Sequence, residues 1–100
     1  MANKKLVAFN ISAPTVITPP PLNPITGIVG IDVQTEGSAG SLVLNDCASL
    51  AGASIENQIA VIPYQQMGAA IDFPLENGLV ISAMPTGAVI SVLYTIYVVG

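Results

Sequence analysis

The chain is expected to be all-β, a small antiparallel β-sandwich or jelly-roll-like barrel of about seven strands with an extended proline-rich N-terminal arm. Three observations lead there. Turn-forming residues recur at short intervals, and no helical or heptad periodicity is sustained anywhere in the 100 residues. The stretches between turns either alternate apolar and polar side chains or are rich in Val, Ile, Thr and Tyr, residues that suit a pleated surface.

Lys4 to Ile11 can form a first strand. Pro14, Pro19, Pro20, Pro21 and Pro24 then crowd a short stretch. Consecutive prolines fix φ and remove amide donors, so Thr18 to Pro24 reads as polyproline-like chain outside any central strand. Residues 1–25 are accordingly assigned to the arm and residues 26–100 to the sandwich domain. From Gly27 the alternation is clear, with Val29, Ile31 and Val33 on one face and Ile28, Gly30 and Asp32 on the other. A turn at Glu36–Gly40 leads to the strand Ser41–Asn45. Asp46–Ala53 is a loop of small residues, and Ser54–Ile62 is a strand ended by Pro63. Ala69–Phe73 and Leu79–Ala83 are expected to pair as a hairpin, because Asn77-Gly78 between them supplies the positive φ angles of tight turns. After the turn Pro85-Thr86-Gly87 comes the longest strand, Ala88–Val99. One of its faces carries Ile90, Val92, Tyr94, Ile96 and Val98, and the other carries Val89, Ser91, Leu93, Thr95, Tyr97 and Val99. Both faces are apolar enough to need cover, which the arm or a neighbouring subunit would provide.

Composition narrows the function. The chain is 52% hydrophobic and only 8% charged, against roughly 25% charged in an ordinary soluble domain. Surface this apolar is normally covered by a partner, so a homo-oligomer is expected, with symmetric closure into a trimer favoured. Net charge is −4 with Lys4 and Lys5 as the only cationic side chains, too few to neutralise the phosphates that direct nucleic-acid binding requires. The run Leu6-Val7-Ala8-Phe9 after the lysines is too short for a cleaved signal peptide once Asn10, Ser12 and Pro14 interrupt it. Leu79–Val99 has the length of a membrane span, but Pro85-Thr86-Gly87 breaks it and no Lys or Arg flanks it, so no membrane association is expected.

Few residues offer chemistry. Histidine is absent, and the single cysteine, Cys47, excludes an internal disulfide and a Cys-only metal site; it reads as a small buried or turn residue. The carboxylates Asp32, Glu36, Asp46, Glu56, Asp72 and Glu76 are dispersed over strand ends and loops, where solvated charge is the expected role. A glycosidase-like pair would need two of them to meet in space. Asp46 with Asn45 and backbone carbonyls would be an oxygen site for a hard cation, yet no loop has the dense acidic spacing such sites use. Gly37-Ser38-Ala39-Gly40-Ser41 lacks the lysine and helix of a phosphate-binding loop, and Asn10-Ile11-Ser12 is a glycosylation triplet of a kind frequent by chance. No enzymatic activity, cofactor or metal is expected.

From Gly27 to Ile96 the order is an alternating strand, Gly40-Ser41-Leu42-Val43-Leu44-Asn45-Asp46, a small-residue loop, the aliphatic Ile55–Ile62, Asn77-Gly78-Leu79-Val80, and Val89–Tyr94. This order, over about two-thirds of the 100 residues, resembles the small β-sandwich virion proteins of tailed bacteriophages, which include head decoration (cement) proteins and short fibre or adaptor modules. The resemblance implies a virion protein, assembled in the host cytoplasm, that coats or staples a capsid lattice and contacts the major capsid protein or another virion protein. The arm residues Leu6, Val7, Phe9, Ile11, Val16, Ile17, Pro19, Pro20 and Pro21 are the expected partner interface. Val89, Leu93, Tyr97 and Val99 are the expected subunit interface. The other readings are a tail or fibre component and a carbohydrate- or cell-surface-binding sandwich. The last would expose an aromatic platform, for which the chain has no Trp and only Phe9, Phe73, Tyr64, Tyr94 and Tyr97.

Overall fold

A computed structural model describes residues 2–21, 23–68 and 70–98. Eight strands follow in order: β1 (Ala2–Ile11), β2 (Thr15–Ile17), β3 (Ile25–Thr35), β4 (Ser41–Asn45), β5 (Gln58–Pro63), β6 (Ala70–Pro74), β7 (Leu79–Ala83) and β8 (Val89–Val98). They build two four-stranded sheets, β1-β8-β3-β6 and β2-β7-β4-β5. All pairings are antiparallel, and the chain behaves as one long hairpin rolled up on itself. Its tip is the β4–β5 pair, and outward from it β3 pairs with β6, β2 with β7 and β1 with β8. Contacts between β3 and β8 and between β4 and β7 close each sheet.

The core lies between the sheets. One sheet contributes Ile11, Ile25, Ile28, Ile31, Ile90, Val92, Tyr94 and Ile96, the other Ile17, Leu42, Leu44, Leu79 and Ile81. Met67 and Leu75, from the connections around β6, plug the same space. Each fully buried aliphatic side chain here contributes about 1.5–3 kcal/mol through the water it leaves.

The arm is the main correction. Residues 2–17 are not an extension beyond the domain, because β1 runs beside β8 from Ala2↔Val98 to Ile11↔Ile90 and β2 pairs Ile17 with Leu79. Ile11, Ile17 and Ile25 are buried in the chain's own core. β2 is the strand that raises the expected seven to eight. What the prolines do is narrower: the stretch after Ile17 carries the chain from one sheet back to the other, with Pro20 and Pro21 exposed, where missing amide donors leave no ladder bond unmade.

The expected hairpin of residues 69–73 with 79–83 also does not form. β6 pairs with β3 in one sheet and β7 with β2 and β4 in the other, so Pro74–Gly78 is a crossover between layers. Gly78 has φ +141°, and a Cβ there would lie 2.5 Å from the Cys47 carbonyl oxygen. The glycine thus serves close approach to another loop rather than a two-residue turn. The faces of β3 are reassigned too. Register shifts between Ile28 and Gly30, against both β8 and β6, bring Ile28 and Ile31 to the same inner face, whereas strict period two separates them. Another irregularity separates Ala8 from Ile11 in β1, where Asn10 takes φ +57°, a left-handed conformation that asparagine tolerates. The strand expected from Ser54 begins at Gln58, since the four residues before it close the preceding loop. Leu79–Val98 is two strands and a turn, and no helix is long and apolar enough to cross a membrane among the described residues.

Candidate functional site

At the tip of the rolled hairpin, residues 46–57 form a long connection held by one buried side chain. Asn45, 2% exposed, donates from Nδ2 to the Ser54 carbonyl (3.0 Å) and to Asn57 Oδ1 (2.8 Å), while its Oδ1 accepts from Ser82 Oγ (2.6 Å). Asn57 extends the network: Nδ2 donates to the Gly52 carbonyl, Oδ1 accepts from the Ser54 amide, and its own carbonyl accepts from the Asp46 amide. Val80, across the ladder from Asn45, is fully buried although it faces away from Leu79 and Ile81. The loop therefore folds back over the outside of the second sheet. Its hydrogen-bonded backbone presents Leu50 and Ile55 to solvent, Ile55 at 80% exposure.

Asp46 locks the neighbouring crossover. Its carboxylate accepts from the amides of Glu76 (3.2 Å), Asn77 (2.8 Å) and Gly78 (3.3 Å). Three converging amides are an anion site already filled by the chain's own carboxylate. Asp46 and Asn45 are thus committed to holding loops, and no group of three or more His, Cys, Asp or Glu residues among the described residues could hold a metal. Asp32, Glu36, Glu56, Asp72 and Glu76 are all exposed. Cys47 is buried as expected, its thiol donating to the Ser49 carbonyl at 3.3 Å. Beside it lies an apolar cleft of about 330 Å³ between three loops, lined by Val16, Ile17, Pro19, Pro24, Cys47 and Leu79 among others. The opposite end of the sandwich is tied by backbone bonds from Ser38 to the Thr86 carbonyl and from Thr86 to the Ala39 carbonyl.

The residues expected to meet partners are dispersed. Ile11 and Ile17 are core, and Leu6 packs against it. Val16 and Pro19 line the cleft beside Cys47, while Pro20 and Pro21 are exposed on the crossover. Val7 and Phe9 lie on the outer face of the first sheet, Phe9 at 71% exposure. Val89, Leu93 and Tyr97 line the same face from β8, half-buried except for Tyr97, which is more exposed; Val99 lies outside the described residues. The N-terminal segment meets β8 along its edge and not across its face, so it does not supply the expected cover. That outer face changes character along its length: the Thr26 and Thr95 hydroxyls are 3.0 Å apart near Asn3, while Val7, Phe9 and Leu93 lie further along. Asn45 and Asn57, the residues that shape the tip loop, have no sequence pattern that would single them out from the other small polar residues around them.

Comparison of the chain with known protein families, with curated proteins and with solved structures finds no match.

Proposed function

We propose that the chain is a non-enzymatic structural subunit of a bacteriophage particle, a head decoration (cement) protein that binds and stabilises the capsid lattice as a homo-oligomer. The observation that carries the reading is the strand order. Sheets ordered β1-β8-β3-β6 and β2-β7-β4-β5 are the arrangement of a jelly roll, an eight-stranded double-sheet fold used by viral capsid domains and lectins among others. Its surface favours assembly over catalysis. Apolar side chains are exposed on a hydrogen-bonded loop (Leu50, Ile55) and along strands (Val7, Phe9, Val61, Phe73), in a chain with 8% charged residues, and exposed apolar surface marks contact sites. A carbohydrate-binding jelly roll would gather aromatic rings into one platform, whereas Phe9 and Phe73 sit on the two opposite edge strands of the first sheet.

The test is co-sedimentation. Epitope-tagged chain is mixed with particles from the cells that produce it, run on a sucrose gradient, and located by immunogold labelling. Sedimentation with the particles and label over the heads is the expected result. Label confined to tails moves the chain to a tail or fibre role, and retention on immobilised glycans with no particle binding overturns the structural reading.

A further inference from the structure

The charged residues of the edge strands are confined to one sheet. The second sheet ends in β2 (Thr-Val-Ile) and β5 (Gln-Ile-Ala-Val-Ile-Pro), with no charge on either. The first sheet ends in β1, which carries Lys4 and Lys5, and β6, which carries Asp72. These two lysines are the chain's only cationic side chains, so one edge holds all of them and the opposite edge holds a carboxylate. β1 is also ten residues long, with no proline in it; a long uncovered edge is a template for pairing with another chain.

We propose that copies of this chain join head to tail, β1 of one copy adding antiparallel to β6 of the next so that the first sheet continues across the contact. The proposal rests on reading the chain as an assembling subunit and names the surface it uses. Side-chain directions agree with it. Lys5 shares the outer face with Thr95 and Leu93, and Ala70 reaches that face through its pairing with Gly30, opposite Leu93; period two puts Asp72 with Ala70. Setting Lys5 opposite Asp72 brings Ala70 to Val7 on that outer face. On the inner face it brings Ile71 to Leu6 and Phe73 to Lys4, an aliphatic pair and an aromatic ring beside an ammonium, both favourable across strands. Within the sheet β1 and β6 already run in opposite directions, since each neighbour in β1-β8-β3-β6 is antiparallel, so continuing the sheet preserves the alternation. Two-fold pairing of β1 with β1 would instead collect four lysines on one seam. A head-to-tail contact closes into a ring where its rotation closes and otherwise runs on as a filament.

The experiment uses charge reversal at exposed positions. Lys5→Glu and Asp72→Lys are made singly in the full chain, and self-association is followed by sedimentation velocity over a concentration series, with circular dichroism to follow the fold. Each single variant is expected to associate about tenfold more weakly than wild type, since an attractive cross-strand pair becomes a like-charge one. An equimolar mixture of the two variants is expected to recover association, because the new carboxylate at position 5 of one copy then faces the new ammonium at position 72 of the other, while the unaltered edges still match. Two misfolded proteins would not recover on mixing. Association that Asp72→Lys leaves unchanged overturns the edge pairing and leaves the subunit reading standing. A wild-type chain that stays monomeric at every concentration also overturns it, while the co-sedimentation test judges particle binding separately.

Discussion

Asn45 ties together pieces of chain that are far apart in sequence, since one amide side chain bonds to Ser54, Asn57 and Ser82. Asn45→Ala leaves these part-buried partners without it, and a loss of about 1–2 kcal/mol is expected, read as a lowered urea midpoint; an unchanged midpoint would mean that water replaces the amide. Gly78→Ala meets a harder obstacle, a backbone oxygen 2.5 Å from the new Cβ at φ +141°, whereas at Gly87 a Cβ meets nothing within 4 Å and only the φ of +76° is strained. Gly78→Ala is therefore expected to lower the thermal midpoint well beyond Gly87→Ala. Burial pushes the Tyr94 phenol above its ordinary 10.0, since the phenolate is disfavoured away from water. The folded state thus holds this proton more tightly: the stabilisation is fully present below pH 10 and is lost as pH rises through the higher folded value. Tyr94→Phe is expected to lose less of its urea midpoint between pH 9 and 11 than wild type does, and equal losses would contradict the assignment. The sequence marks Gly78 for a positive φ and Tyr94 for an apolar strand face, but the approach of Gly78 to Cys47 and the partners of Asn45 are not legible in it. Asp46 reads there as a solvated charge or an oxygen ligand because nothing in its local sequence reveals amides arriving from residues 76–78.

Among the elements, β4 and β7 occupy the expected residues because each is short, apolar and bounded by turn residues. β8 begins one residue later than expected, at Val89, and its expected last residue, Val99, lies outside the described residues. The errors lie where local pattern and tertiary partner disagree. Asn77-Gly78 is a strong local hairpin signal, yet the inward side chains of β6 and β7 serve different sheets, and burying both layers outweighs the local turn preference. Residues 1–25 look detachable in the sequence because proline density masks Thr15–Ile17, a strand of three residues whose Ile17 is core. Deleting residues 1–24 removes both β1 and β2, exposing β8 along one sheet edge and β7 along the other. The truncated chain is expected to lose cooperative thermal unfolding by circular dichroism. A sharp two-state melt from it would show that both strands are dispensable after all.

Across the whole molecule, the rolled hairpin makes almost every strand pairing distant in sequence, with β1 closing on β8 at the far end. Such topology folds slowly, so refolding from urea is expected in milliseconds to seconds; microsecond relaxation by temperature jump would contradict it. The fold class is readable from the sequence because low charge, dense turns and two-sided apolar strands are properties of the whole chain. The surface is less so, because which edge strands stay uncovered depends on the pairing order, which no single segment encodes. That order gives a body of 43 × 26 × 19 Å, with its charged edges on one sheet and apolar loop tips at an end. The most direct measurement of its role is electron cryomicroscopy of particles from the producing cells. Density matching this eight-stranded body, repeated over the head lattice with neighbouring copies in contact, is the expected result; heads resolved to the same detail with no such density would contradict it.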